Sequence, residues 1–187
     1  MSNADLHRLA TLLADRSAKR GRFILASGRE STFYIDARLT TMSPEGLALI
    51  GPLGLAAIGA RGWIPDSVGG LTLGADPISY AISYASASAA RPLRAFTVRK
   101  EPKSHGTGRL VEGPFQRGDR VVIVEDVITT GGSALKAADA VSAAGGHVLG
   151  VLALVDREEG GREAIEAANH QVLSLVRASD VLPFLRN

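Results

Sequence analysis

The 187-residue sequence contains no cysteine, so disulfides and thiolate-ligated metals play no part in its folding. Charge of one sign is also lacking: 21 Lys and Arg stand against 19 Asp and Glu, a formal net charge of +2. That balance is too even for general nucleic-acid binding, even with an isoelectric point near 9.2. No long apolar run is present. Residues 46–60 are broken by Gly51, Pro52, Gly54 and Gly59 and do not make a regular membrane-spanning helix. The N-terminal MSNADLHRLATLLADR mixes charges with its leucines, which reads as an amphipathic helix and not a signal peptide. No repeat, low-complexity tract or linker divides the chain. With 45% hydrophobic residues, one domain over residues 1–187 can build its own core. A soluble, cytoplasmic protein is expected.

What the chain does have is a dense signal at residues 121–134, VVIVEDVITTGGSA. The β-branched run 121–124 predicts a strand buried on both faces of a parallel sheet. Glu125 and Asp126 follow, at the carboxyl end of a strand, where ligands bind in open α/β sheets. Val127 and Ile128 lead into the turn Thr129, Thr130, Gly131, Gly132 and Ser133, ahead of a helix-favouring segment. Glycines there admit a ligand close to the backbone, and successive amides backed by the helix's positive end form a phosphate site. The paired acids offer acceptors for sugar hydroxyls. A ribose-phosphate site is the expectation.

Elsewhere helical and strand signals alternate. Leu6, Leu9, Leu12 and Leu13 give an N-terminal helix one apolar face, and residues 22–38 read as a hairpin around a Ser-Gly turn. Ser43-Pro44 caps a helix reaching Ala60, with Pro52 expected to kink or bound it. A strand ending near Val68 precedes a glycine-rich loop over 69–75, and Asp76-Pro77 opens a helix toward Ala90. A strand over 94–100 precedes a loop over 101–114. After the stop at Gly145-Gly146 come a strand over 147–155, a helix over 162–168 and a strand over 171–176. Trp63 reads as packing, and His7, His147 and His170 lack the spacing of a metal site. The fold class is α/β: a doubly wound, mostly parallel sheet flanked by helices.

Residues 98–113, VRKEPKSHGTGRLVEG, place Arg99, Lys100, Lys103, His105 and Arg109 among glycines with few apolar anchors. A loop of that composition is expected to be mobile without ligand and able to close over a polyanion, excluding water.

These strings carry a family resemblance. Residues 121–134 are similar to the phosphoribosyl-pyrophosphate (PRPP) motif of type I phosphoribosyltransferases, with apolar residues, two acids and a Thr-rich turn with Gly. Residues 98–113 resemble the catalytic loop of the orotate phosphoribosyltransferases, with Arg-Lys, Lys, His-Gly and Glu-Gly in order. FILASGRESTFYID at 23–36, VGGLTLGADP at 68–77, and Asp156-Arg157 with Gly160 agree with that family over roughly residues 20–160. The resemblance implies a type I phosphoribosyltransferase fold, with residues 1–40 supplying an N-terminal helix and base-pocket hood. It implies transfer of ribose 5-phosphate from PRPP to orotate, giving orotidine 5′-monophosphate and pyrophosphate in pyrimidine synthesis. Lys103 and His105 become the catalytic pair. Arg99, Lys100, Lys103, His105, Glu125, Asp126 and the seven residues from Val127 to Ser133 become the PRPP contacts, with Thr129 and Arg157 at orotate. The cofactor implied is Mg2+, held mainly by PRPP and water and not by a dedicated protein metal site. The assembly implied is a homodimer whose loop acts in the neighbouring subunit, with no nucleic-acid or membrane partner and no fused decarboxylase. Two positions depart from the pattern: Ala26 where many relatives have Lys, and Thr72-Leu73 where many have Tyr-Lys. A transferase for another base and a non-catalytic PRPP sensor remain as alternatives.

Overall fold

The computed structural model describes residues 2–24, 30–101 and 109–185. Helix α1 (Asn3–Arg16) is followed by an antiparallel hairpin, β1 (Ala18–Ile24) and β2 (Glu30–Ile35), and by the short α2 (Arg38–Thr41). Next come α3 (Pro44–Ala60), β3 (Ser67–Leu71), α4 (Ala75–Ala85), β4 (Arg94–Val98) and a two-residue strand, β5 (Val111–Glu112). The second half contains β6 (Arg120–Ile128), α5 (Gly132–Ala143), β7 (His147–Asp156), α6 (Gly161–Ala167), β8 (Val172–Arg177) and α7 (Ala178–Val181). Apart from the hairpin, the strands form one sheet in the order β5-β4-β3-β6-β7-β8, parallel except for β5 at the edge.

Alternation along the central strands builds two apolar layers. Val122, Val124, Leu152 and Leu154 join Leu9, Leu13, Ile50, Ile58 and Ile82 on one face. Val121, Ile123, Val151 and Ala153 meet Ala134, Ala137, Ala138 and Val141 of α5 on the other. Successive residues of a strand point to opposite faces, so a strand apolar at every position must be covered twice. Trp63 packs against the first layer, as expected of a packing residue.

Several boundaries differ from the sequence expectation. Helix α3 runs through Pro52 without a break in its assignment. Pro52 and Ala48, the residue four positions earlier whose carbonyl loses a donor, both lie on the exposed side, where water can satisfy that carbonyl. Gly69 and Gly70 belong to β3 and not to a loop. A Cβ at Gly70 would collide with the Val124 carbonyl oxygen, so the residue is there to let β3 and β6 close on each other. Helix α4 ends at Ala85, five residues short of the expected end, and Asp76 does not cap it; the cap position is Gly74. Strand β6 continues through the acid pair to Ile128, because Glu125, Val127 and Ile128 keep register with Ala153, Val155 and Asp156 of β7.

At the amino end of the sheet, two acids bind three strands together. Asp66 accepts from the Arg120 backbone N–H at 2.9 Å, from Arg120 Nε at 3.1 Å and from Arg91 Nη2 at 3.2 Å. Its own N–H donates to the Arg120 carbonyl, and its carbonyl accepts from the Arg94 N–H. Asp119 accepts from Ser67 Oγ at 3.0 Å and from Arg94 Nη2 at 2.6 Å.

Hydrogen bonds from Arg120 hold the Asp66 carboxyl at about 2, below its ordinary 3.8. A carboxyl depressed in the fold stabilises above its unfolded value, and that stabilisation is lost as pH falls through the folded value. Asp66→Asn should therefore lower the melting temperature at neutral pH by about 3 °C, after discounting for solvent screening. Thermal melts should show the gap to the unsubstituted protein closing between pH 4 and pH 2; a gap that persists there would exclude the linkage.

Candidate active site

Strand order reverses direction at β3, whose neighbours are β4 on one side and β6 on the other. A crevice opens at such a switch point, beyond the carboxyl ends of the strands. Here it is a cleft of about 660 Å3, bounded by the turn after β3, the turn after β6, the end of β7 and the segment following β2. Lys100, Glu125, Asp126, Val127, Thr129, Thr130, Ser133 and Arg157 all line it. Ile128 is buried and takes part through its backbone, its carbonyl accepting from the Arg157 N–H at 3.0 Å. Arg99 borders an adjoining recess with Thr72, Thr97 and Lys100. Lys103, His105 and Ala26 lie outside the described residues.

The turn after β6 has the geometry of an anion cradle. Gly131 caps α5 with φ +81°, and Gly132 is the first helical residue. The opening N–H groups of a helix have no partner within it and carry the positive end of its dipole. In the turn and the opening of α5, Thr129, Thr130 and Ser133 line the cleft.

The two acids sit in unlike surroundings. Glu125 is 7% exposed, and its Oε2 has no hydrogen-bond partner among the described residues. Burial, followed by the neighbouring Asp126, pushes its carboxyl well above the ordinary 4.5. Asp126 is half-buried and accepts from the Val127 N–H at 3.0 Å. Its carboxylate lies where a Cβ of Gly74 would be, so the turn after β3 presses directly against it. That turn is tied down from behind. Asp76, itself buried, accepts from Thr72 Oγ1 at 2.7 Å and from Thr97 Oγ1 at 2.8 Å, and the Thr72 N–H donates to the Val98 carbonyl.

Arg157, 4% exposed, is already engaged. Its Nε donates to Glu159 Oε1 at 3.0 Å, and its Nη2 lies 2.7 Å from the same oxygen. Nη2 also reaches Ser31 Oγ at 2.9 Å and the Phe33 carbonyl at 3.1 Å, and the guanidinium lies 4.5 Å above the Phe33 ring. This one side chain ties the hairpin to the end of β7. Asp156 is equally committed: it accepts from Arg162 Nε at 2.8 Å and from the Glu158 N–H at 2.9 Å.

Sequence reasoning passed over Asp36, Arg38 and Tyr34 as individual lining residues. The Asp-x-Arg pair directly after an aromatic run is their only sequence signal, and no periodicity marks it. Among the described residues, no group of three or more His, Asp or Glu is placed to hold a metal ion, and no helix is long and apolar enough to cross a membrane.

Comparison with known proteins agrees with the geometry. Residues 94–175 match the family model for the phosphoribosyl transferase domain. The chain is 47% identical over 178 residues to an orotate phosphoribosyltransferase from Aquifex aeolicus, covering 94% of this chain and 96% of that one. The crystal structure of Mycobacterium tuberculosis orotate phosphoribosyltransferase with Fe(III) dicitrate superposes with a TM-score of 0.82 at 45% identity, covering 95% and 98% of the two chains. The same enzyme in complex with PRPP gives 0.78 at 38% identity, with 97% and 93% covered.

Because the folded Glu125 carboxyl lies above its unfolded value, the native state retains a proton that the unfolded chain releases. Its unfavourable effect is absent below about 4.5 and grows as pH rises from there through the folded value. Glu125→Gln should therefore melt higher than the unsubstituted protein at pH 8, with the difference shrinking toward pH 4.5. A pH-independent difference in calorimetric melts would remove the burial argument.

Proposed function

The chain belongs to the orotate phosphoribosyltransferase family, and we propose that its cleft carries out that family's reaction, joining orotate to the ribose 5-phosphate of PRPP with loss of pyrophosphate. The observation that carries this reading is the convergence of an amide cradle and a carboxylate pair on one cleft at the switch point of the sheet. The C1–O bond to pyrophosphate breaks as N1 of orotate bonds to C1, through a sugar with oxocarbenium character, and the proton that N1 loses is taken up by the departing pyrophosphate. Positioning and stabilisation of the leaving group then supply most of the rate.

In this reading, the amides of Thr129, Thr130, Gly131, Gly132 and Ser133 hold the 5′-phosphate, while Glu125 and Asp126 accept from the ribose hydroxyls. Arg99 and Lys100 contact phosphate oxygens. Lys103 and His105 stabilise the departing pyrophosphate. Thr129 and Arg157 orient orotate beneath the hood formed by residues 1–40, so that N1 faces the anomeric carbon. The donor set suits magnesium, a hard cation: Glu125 and Asp126 offer carboxylate oxygens, and the rest of its shell comes from PRPP and water. When bound, the ion neutralises charge on the pyrophosphate. A homodimer whose loop acts in the neighbouring subunit's site, working in the cytoplasm, completes the proposal.

The primary test is the absorbance change of orotate on adding PRPP and magnesium. No change with magnesium present would sink the reading, and turnover with hypoxanthine instead would redirect it to a purine enzyme. Lys103→Ala should lower turnover by about two orders of magnitude or more, a cost of about 3 kcal/mol. Near-normal turnover would exclude the leaving-group role. If the loop acts across subunits, mixing Lys103→Ala with Arg157→Ala protein should restore activity in the hybrid dimer. No rescue after verified subunit exchange would place each site within one chain.

A further inference from the structure

Six charged side chains line the cleft among the described residues: Asp36, Arg38, Lys100, Glu125, Asp126 and Arg157. Three are cations, and they are not equivalent. Arg157 is buried and bonded to Glu159, Ser31 and Phe33. Lys100 is exposed just past the end of β4, where the chain leaves the sheet. The turn over residues 72–74 contributes no charge, since its residues are Thr72, Leu73 and Gly74. Arg38 is left with no assigned task.

Its setting is that of a prepared ligand-binding group and not of a loose surface charge. Arg38 Nε and Nη2 donate to the two oxygens of Asp36, each at 2.8 Å, which fixes the plane of the guanidinium. The backbone beneath is anchored as well: the Asp36 N–H donates to the Ser17 carbonyl, and Ala37 between the pair is 1% exposed. The third nitrogen, Nη1, has no hydrogen-bond partner among the described residues, and the side chain is 47% exposed. Arg38 and Asp126 line the same cleft. Arg38 thus offers one unused edge in a cleft that the acid pair and the uncharged turn also line.

Building on the phosphoribosyl-transfer reading, we propose that Arg38 is a substrate-binding residue whose Nη1 edge donates to an anionic oxygen of the pyrophosphate-bearing sugar. It supplies cationic charge to a cleft whose 72–74 turn provides none. Asp36 is its positioning residue. It holds the fork in plane and leaves Nη1 free for a ligand.

The test is direct binding of PRPP with magnesium by titration calorimetry, together with separate KM values for PRPP and orotate, on the full-length protein. Arg38→Ala should raise the Kd and KM for PRPP by about tenfold or more, the scale of one hydrogen bond to a charged group. The KM for orotate should change by less than about twofold on the same logic. Arg38→Lys should fall between, keeping the charge but losing the fork to Asp36, and Asp36→Asn should raise the PRPP KM without altering that of orotate. If Arg38→Ala does not fold, Arg38→Gln, which keeps a donor for Asp36, decides in its place. An unchanged PRPP Kd in a folded variant would overturn the proposal, as would an orotate KM that rises more than that for PRPP. Unsubstituted protein that never converts orotate would instead sink the underlying functional reading. Normal turnover with an indifferent Arg38 variant would sink this inference alone.

Discussion

The site depends on how closely β3 and β6 approach each other. A parallel sheet sets neighbouring strands about 4.8 Å apart, but the turns that follow must also share one ligand. Gly70 lies against the Val124 carbonyl, and Gly74 lies against the Asp126 carboxylate. Those two contacts bring the uncharged turn after β3 beside the acids of β6, with the amide cradle one turn further on. A side chain at position 70 would push β3 and β6 apart, and one at position 74 would displace the Asp126 carboxylate.

The two ends of the sheet treat charge in opposite ways. At the amino end, Asp66 and Asp119 are matched by Arg120, Arg91 and Arg94, and their bonds hold β3, β4 and β6 together. At the carboxyl end, where Asp76, Asp156 and Arg157 are bonded, Glu125 keeps a buried oxygen that has no hydrogen-bond partner among the described residues, and Asp126 accepts from the Val127 N–H. A buried carboxyl left incompletely bonded costs stability and gains meaning only when a ligand supplies the missing donors. Polar groups are thus matched where Asp66 and Asp119 hold the strands, and a carboxyl oxygen is left over at Glu125, on the cleft.

Much of this was legible in the sequence, and the parts that were not share a cause. The run at 121–124, the Ser43-Pro44 cap and the Thr-Thr-Gly-Gly-Ser turn are local signals with local causes, and each appears where expected. Gly69 and Gly70 looked like a loop because glycine punctuates turns; their reason for being glycine lies on β4 and β6, far along the chain. Asp76 looked like a helix cap, yet its carboxylate bonds Thr97, which tertiary structure brings near. Ser31 and Arg157 are 126 positions apart, and no pattern in either neighbourhood announces their bond. The two-residue β5 carries too little sequence for any period to show. Apart from β5 and the local Asp36–Arg38 pair, these features were fixed by distant partners.

The turn at 72–74 also sets how this cleft can diverge. Position 70 is closed by the Val124 backbone and position 74 is crowded by the Asp126 carboxylate, whereas Leu73 between them is 52% exposed and lines the cleft. A single exchange at that position can add or withdraw charge at the mouth without moving the scaffold. Contacts on both sides hold the backbone there, while the exposed side chain at 73 leaves the charge at the cleft mouth open to change.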